Sequence, residues 1–332
     1  MSFLQKIKNN PSLFLAFSIC ATWAGAGSLI VGMQMVQQHG VIPFFLWALG
    51  NTLCCVFFGL VAGKMPLVRK IFLSKPFKIV VGLMCIFQLW VNMSAINDAL
   101  SIINPLFGTI TTYIISIGFL ILYLKFALIK NIATDDIGWK IVYVLIVFLT
   151  IVSFVINGFE LPSLGATKEG ITLGIQRFFT LMVGPFFYPY FWELYKKNED
   201  ENNEFKKVNM TKCFAIGGLL FGIYICFVFM LGMTSFSPAM NIIKAVLLAL
   251  IALSSLTSFI YSIYISFGNK IGFAINTFGI AGWYFLIPMG VMGIWSAMQD
   301  IRFVIVIAVI VGALIYNLIQ KRKGNNVKKQ KA

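Results

Sequence analysis

Apolar residues run through this chain in long blocks that are separated by short polar segments. Stretches such as 141–156 and 303–318 are apolar on every face, which favours helices over the alternating strands of a membrane barrel. A bilayer core about 30 Å thick is crossed by roughly 20 helical residues. We therefore predict ten membrane-spanning helices, spans 1 to 10, at 13–38, 42–63, 78–97, 105–129, 139–158, 170–195, 212–233, 238–267, 272–295 and 302–319.

Composition and charge agree with a multi-pass membrane protein. Of the 332 residues, 59% are hydrophobic, whereas soluble domains are about half apolar. The N-terminus, the even-numbered connections and the C-terminal tail hold 22 of the 26 Lys and Arg. By the positive-inside rule, this bias predicts a cell-membrane protein with both termini in the cytoplasm. The net charge of +15 is then expected to face the anionic lipid bilayer, and we expect no nucleic-acid partner.

The sequence offers little that could support catalysis. The one histidine, His39, falls at the outer end of span 1, and no nucleophile motif or pair of intramembrane carboxylates is present. The six cysteines lie in or beside apolar spans without zinc-site spacing. We expect a protein that is not an enzyme and holds no cofactor. No pattern in the sequence indicates an oligomeric state.

Two spans contain residues that interrupt helices. Span 1 has a run of Gly, Ala and Ser at 24–28, and span 6 has Gly184, Pro185 and Pro189. Glycine costs about 1 kcal/mol and proline about 3 kcal/mol in a helix interior. Span 1 is the first helix of one predicted set of five (13–158), and span 6 is the first helix of a second set (170–319). Because five is odd, the two sets have opposite orientations in the membrane. A basic tail at 320–332 follows the second set. Paired breaks in inverted repeats of one transmembrane domain (1–332) are typical of a transporter binding site. The alternative is close helix packing at the glycines and a simple proline kink.

Polar residues inside the spans are candidates for contact with a solute, because such groups are costly in a membrane. Gln88 and Asn92 are one turn apart on span 3, so they share a face; they could instead bridge helices. The other candidates lie near the two interruptions and are Trp23, Gly25, Ser28, Gly184 and Tyr188. Tyr188 could also form an aromatic gate with Trp192, or both could be packing residues.

Charged residues within the spans provide weaker signals. Arg177 lies two turns into span 6 and could pair with an acid such as Glu169 or hold an outer gate. No charged residue falls beside the interruption in span 1, which favours a neutral or zwitterionic solute. The N-terminus of a broken helix could still hold a carboxylate.

Span 8 carries an unusual hydroxyl-rich segment, Ser254-Ser255-Leu256-Thr257-Ser258. Hydroxyl and carbonyl oxygens are suitable ligands for a hard cation such as Na⁺. The alternative is that these hydroxyls bond back to carbonyls of their own helix.

Three segments of the chain together resemble the sodium:solute symporter family and, more broadly, the LeuT-type fold. They are the small-residue stretch 21–28 with Gln37-Gln38-His39-Gly40, the serine-rich stretch 252–258, and 189–192 with the Lys-rich loop after it. The resemblance implies an all-α protein with a 5+5 inverted repeat and broken helices 1 and 6. It also implies a Na⁺ site formed by the carbonyls of Ala21, Ala24 and Ile251 and the hydroxyls of Ser254 and Ser255.

The chain departs from this family in several places. Tyr188 stands where the family often has Asp, Glu193 and Leu194 replace Gln-Arg, and no helices are added to the ten-helix core. We therefore expect a secondary transporter of a small organic solute, coupled to Na⁺ and working by alternating access. The alternatives are a receptor or sensor on the same fold, and a cation-independent permease related to spore-germination permeases.

Overall fold

The computed structural model describes residues 10–101, 103–124, 147–148, 150–156, 158, 161–199, 208–234 and 238–330. Every regular element in these residues is helical, which confirms the all-α prediction for the described part of the chain. The helices are α1 (Pro11–Trp23), α2 (Ala26–Gln34), α3 (Val41–Lys64), α4 (Pro66–Phe72), α5 (Lys75–Ser101), α6 (Pro105–Leu124), α7 (Lys168–Met182), α8 (Pro189–Glu199), α9 (Met210–Gly232), α10 (Pro238–Phe267), α11 (Asn269–Gly282) and α12 (Gly290–Gln330). Half of predicted span 5 lies outside the described residues.

Four described helical stretches are long and apolar enough to cross a membrane. They are Val41–Lys64, Lys75–Ser101, Met210–Gly232 and Lys270–Lys321. Large apolar side chains also cover outer surfaces, as on α6, where Leu106, Ile110, Ile114 and Ile121 form one exposed stripe. Such a surface suits lipid contact, because soluble monomers rarely expose large contiguous apolar patches.

The interior is formed by a few long helix pairs. α5 packs along α10, α7 packs along α3, and α9 packs along both α1 and α3. Trp47 of α3, Phe214 of α9 and Trp283 are completely buried among them. These pairs surround α2 and the segment between α7 and α8, so both are at the centre of the bundle.

The chain leaves regular α-helix at two central places. α1 ends at Trp23, Gly25 is extended with φ −94° and ψ 167°, and α2 starts at Ala26. Between α7 and α8 the chain forms a 3₁₀ turn, Gly184–Phe187, followed by an extended Tyr188. Proline at position 185 lacks an N–H to continue the α7 hydrogen-bond ladder, and Pro189 can begin α8 because the first N–H of a helix needs no helical partner. We call these segments the first and second interruptions.

The boundary predicted between spans 9 and 10 is wrong. The sequence suggested a connection at 296–301, but these residues lie inside α12, which runs unbroken from Gly290 to Gln330. The turn lies earlier, where the 3₁₀ segment Trp283–Met289 meets Gly290 with φ +61°. Pro288 cannot extend a helix, and glycine accepts a left-handed conformation without steric cost. The polar residues at 299–302 therefore lie within a helix, where Asp300 pairs with Arg177 and Gln299 and Arg302 are buried.

Candidate functional site

A small cavity lies between the two interruptions. Its volume is about 20 Å³, which leaves room for little more than one water molecule. Its walls come from six parts of the chain, and its lining residues are Trp23, Gly25, Gly27, Ser28, Asn51, Gln88, Asn92, Leu181, Tyr188, Phe259, Trp295 and Gln299. The space is thus a contracted cavity, and a solute larger than water needs the surrounding side chains to move.

The structure brings together most of the residues predicted to meet a solute. Trp23, Gly25, Ser28, Gln88, Asn92 and Tyr188 all line this cavity. Gly184 lies behind it, where a β-carbon added to the glycine would collide with the Trp23 ring. The rings of Trp23 and Tyr188 meet edge to face, with centroids 5.1 Å apart. The two interruptions are therefore in contact.

Neighbouring helices hold the first interruption in place. The Gly25 carbonyl accepts hydrogen bonds from the Leu29 N–H at 3.2 Å and from the Tyr224 hydroxyl of α9 at 3.3 Å. A β-carbon at Gly25 would lie 3.1 Å from Ser255 Oγ of α10. The absence of a side chain at position 25 thus lets α10 approach the break closely. The first N–H groups of α2 face this region, and they carry the positive end of that helix's dipole.

Four cavity residues carry buried polar atoms without a hydrogen-bond partner. Trp23 Nε1 and Asn51 Nδ2 are donors, and Asn92 Oδ1 and Gln299 Oε1 are acceptors. Each unsatisfied buried group costs about 1–3 kcal/mol, so four in one cavity are unlikely as packing. The same four side chains could donate to and accept from a polar solute.

The proposed Na⁺ ligands are only partly described. Ala24 and Ser255 are buried, and Ser255 lies against the first interruption. Ala21 is in α1, Ile251 is in α10 one turn before Ser255, and Ser254 directly precedes Ser255, but the side chains of these three residues lie outside what the structure describes. Ser255 meeting Gly25 places a hydroxyl oxygen beside an interrupted backbone, which is compatible chemistry for Na⁺. The ligand set itself stays a prediction.

An ion pair and an aromatic ring close one side of the cavity. Arg177 Nη1 donates to Asp300 Oδ1 at 3.2 Å, and its guanidinium lies 5.5 Å from the centroid of the Trp295 ring, which lines the cavity. Gln176 also reaches Asp300, at 3.4 Å. The partner of Arg177 is therefore Asp300 rather than Glu169. We call Arg177, Asp300 and Trp295 the ion-pair cap.

An aromatic cluster packs around the second interruption. The rings of Phe72 and Trp192 stack with centroids 5.0 Å apart and planes 15° apart. Phe58 packs edge to face on Trp192 and on Phe214, at 4.8 Å in each case, and on Phe186 at 5.0 Å. We call these five residues the aromatic plug. Beyond it, a second cavity of about 60 Å³ is lined by Phe72, Trp192, Lys78, Glu193 and Lys196, among others.

Sequence reasoning missed several residues of the site. Asn51 could have been found, because it is a lone amide inside an apolar run. The sequence prediction placed Trp295 at the end of span 9, Gln299 in the connection after it, and Arg302 at the start of span 10. All three lie on one inward face of α12, at spacings of four and three residues. Arg302 is completely buried and contacts Gln88, so a positive charge does lie next to the cavity.

Comparison with known proteins adds no relationship. No protein-family model matches the chain, and no curated protein matches it.

Proposed function

We propose that this protein is a secondary transporter that moves a small polar organic solute by alternating access. In this proposal, α1 and α2 are halves of one broken span, α7 and α8 are halves of another, and the ten spans form a LeuT-type inverted repeat with cytoplasmic termini. The observation that carries the proposal is the contact between the two interruptions around a cavity with four unpartnered polar atoms. Non-helical backbone at membrane depth is tolerated beside protein or a polar cavity.

In this proposal, the ion-pair cap and the aromatic plug are the two barriers of the alternating-access mechanism. A transporter needs one barrier that opens while the other stays closed. The ion-pair cap joins α7 to α12, and the aromatic plug joins α3, α4, α8 and α9. They use different residues and different helix pairs, so one can separate without the other. A binding pocket for a receptor would need only one such barrier.

Uptake into proteoliposomes tests the proposal. The purified protein is reconstituted and supplied with a panel of labelled amino acids, small carboxylic acids and their amides. We expect time-dependent, saturable uptake of at least one compound, and loss of that uptake in the Asn92→Leu variant, which keeps side-chain size but removes the amide. Stable binding of a compound with no uptake would contradict transport and favour a receptor on the same fold.

Sodium coupling is tested separately in the same vesicles. If Na⁺ is coupled, an inward Na⁺ gradient should accelerate uptake, and Ser254→Ala and Ser255→Ala should each abolish that acceleration. Ser262→Ala is the matched control, because this hydroxyl is also buried on α10 but lies two turns away. Uptake that ignores the Na⁺ gradient would remove the coupling and leave a cation-independent permease.

A further inference from the structure

Arg302 is a buried cation for which the described part of the chain provides no carboxylate. Its exposed fraction is 0%, and the ionisable groups that act on it electrostatically are Tyr188 and Cys85. The acid nearest in sequence, Asp300, is two residues away on α12 and pairs with Arg177 instead. Arginine stays protonated in proteins, so this position carries a positive charge that no acid among the described residues neutralises.

Neutral groups hold the Arg302 guanidinium. With the Gln88 amide turned so that its oxygen faces Arg302, Oε1 accepts from Nη1 at 2.7 Å and from Nη2 at 3.2 Å. The Met84 carbonyl gives a longer contact at 3.4 Å, the Phe187 ring centroid lies 5.4 Å from the guanidinium carbon, and Nε has no partner. A planar guanidinium binds a carboxylate better than an amide, because it can form two parallel charge-assisted hydrogen bonds.

The charge lies directly behind the cavity wall. Gln88 lines the cavity, and its amide contacts Arg302. No described side chain in the cavity lining is acidic. A rotation of the Gln88 side chain would therefore expose the guanidinium to a solute in the cavity.

We propose that Arg302 recognises a carboxylate on the transported solute, and that Gln88 occupies the guanidinium when no solute is bound. The solute carboxylate replaces the Gln88 amide oxygen and pairs with Nη1 and Nη2, which supplies the missing counter-charge. The four unpartnered polar atoms of the cavity then bind the rest of the molecule; they are Trp23 Nε1, Asn51 Nδ2, Asn92 Oδ1 and Gln299 Oε1. This inference rests on the proposed transport function and narrows its substrate to small carboxylates, including zwitterionic amino acids.

The first test uses the unchanged protein in lipid nanodiscs. Thermal stabilisation is titrated with matched pairs that differ only in the charged group: glycine and glycinamide, alanine and alaninamide, leucine and leucinamide, acetate and acetamide, butyrate and butyramide. We expect at least one carboxylate to bind roughly 10- to 100-fold more tightly than its amide. If no carboxylate binds more tightly than its amide, the proposal is wrong. Stabilisation by sodium chloride alone, to the same extent, would likewise overturn it in favour of a simple anion site.

The second test supplies the counter-charge from the protein. Gln88→Glu places a carboxylate where the amide oxygen already contacts Arg302, so the variant should be more heat-stable than the parent without any solute. It should also lose its response to the preferred carboxylate. Asn92→Asp is the matched control, because it adds the same charge to the same cavity one turn away from the contact. If Asn92→Asp reproduces both effects, the pairing with Arg302 is not specific and the proposal fails.

These readouts separate this inference from the proposed function. Uptake of a neutral solute with equal binding of acids and amides would keep transport and remove the role of Arg302. Carboxylate-selective binding in nanodiscs without uptake into vesicles would keep Arg302 as the recognition residue and remove transport. Arg302→Lys separates the effect of the charge from the effect of the two parallel hydrogen bonds. Lysine keeps the positive charge but cannot form both bonds, so the affinity for carboxylates should fall. The preference for carboxylates over amides should persist.

Discussion

At the scale of single residues, the cavity combines groups that an apolar bundle would not otherwise retain. Asn51, Asn92 and Gln299 are 2% exposed each, yet each has a polar atom without a partner. Their sequence positions show nothing of this, because an isolated amide in an apolar span could equally bridge two helices. In the structure these amide atoms form no hydrogen bond to a neighbouring helix, which favours a role in binding over a role in helix packing.

Gly184 offers a direct test of the contact between the interruptions. A methyl group at this position would collide with the Trp23 ring, so Gly184→Ala should push that ring into the cavity. We expect solute uptake and solute-induced thermal stabilisation to fall at least 10-fold, with a loss of stability of about 1–3 kcal/mol from overpacking. The measurement is uptake and thermal unfolding of the variant beside the parent.

Gly118→Ala is the control for this substitution. Gly118 lies in α6 and has no atom within 4 Å of the added β-carbon, so the change should preserve uptake and stabilise the helix by up to about 1 kcal/mol. If Gly184→Ala binds solute normally, the Trp23 ring is not fixed against Gly184 at the wall of the cavity.

At the scale of helices, the sequence predicted the presence of the long helices better than the residues at which they begin and end. The helix Pro238–Phe267 has the predicted ends, and α3, α5 and α9 agree to within four residues at each end. These segments are long apolar runs bounded by charge, glycine or proline. The error at 296–301 arose because Gln299, Asp300 and Arg302 resemble a polar connection. Their partners, Arg177 and Gln88, are distant in sequence, and no local pattern could have identified them.

The start of α12 gives a prediction about this corrected boundary. Gly290 has φ +61°, a conformation that costs an L-residue about 1 kcal/mol or more, so Gly290→Ala should lower the free energy of unfolding by roughly that amount. Gly312→Ala lies in the interior of the same helix, with no atom within 4 Å of the new β-carbon, and should raise stability by up to about 1 kcal/mol. Thermal unfolding in detergent compares them. Equal effects of both substitutions would place the turn elsewhere, as the sequence originally suggested.

At the scale of the whole molecule, the cavity between the interruptions is contracted to about 20 Å³. Trp295 of the ion-pair cap forms part of its wall, and the aromatic plug packs on the second interruption through Phe186. The short helix α4 contributes to the plug by burying Phe72 within the bundle, while its Arg69 and Lys70 belong to the basic end of the protein. The sequence predicted the basic end from its charges. It could not predict that α4 is a helix that buries Phe72, because seven residues with two cations resemble an ordinary loop.

Under the proposed mechanism, the ion-pair cap and the aromatic plug should control access to the cavity from opposite sides of the membrane. A cysteine placed at Ser28 reports on the cavity, in a background where Cys226, the one exposed cysteine among the described residues, is replaced by serine. Asp300→Asn removes the partner of Arg177 and should accelerate labelling of this cysteine by a membrane-impermeant thiol reagent applied from outside. Phe72→Ala removes the ring stacked on Trp192 and should accelerate labelling from the side of the basic loops, measured in inside-out vesicles.

The comparison between the two variants distinguishes gating from general loosening. A gate changes access from one side only, because the other barrier stays closed, whereas a destabilised bundle reacts faster from both. We therefore expect Asp300→Asn to change labelling from outside several-fold more than labelling from inside, and Phe72→Ala to show the reverse. Combining Arg177→Gln with Asp300→Asn should restore part of the stability that Asp300→Asn alone loses, since position 177 then no longer holds a buried cation without its partner. Its labelling from outside should nevertheless remain fast, because the bridge between α7 and α12 is still missing.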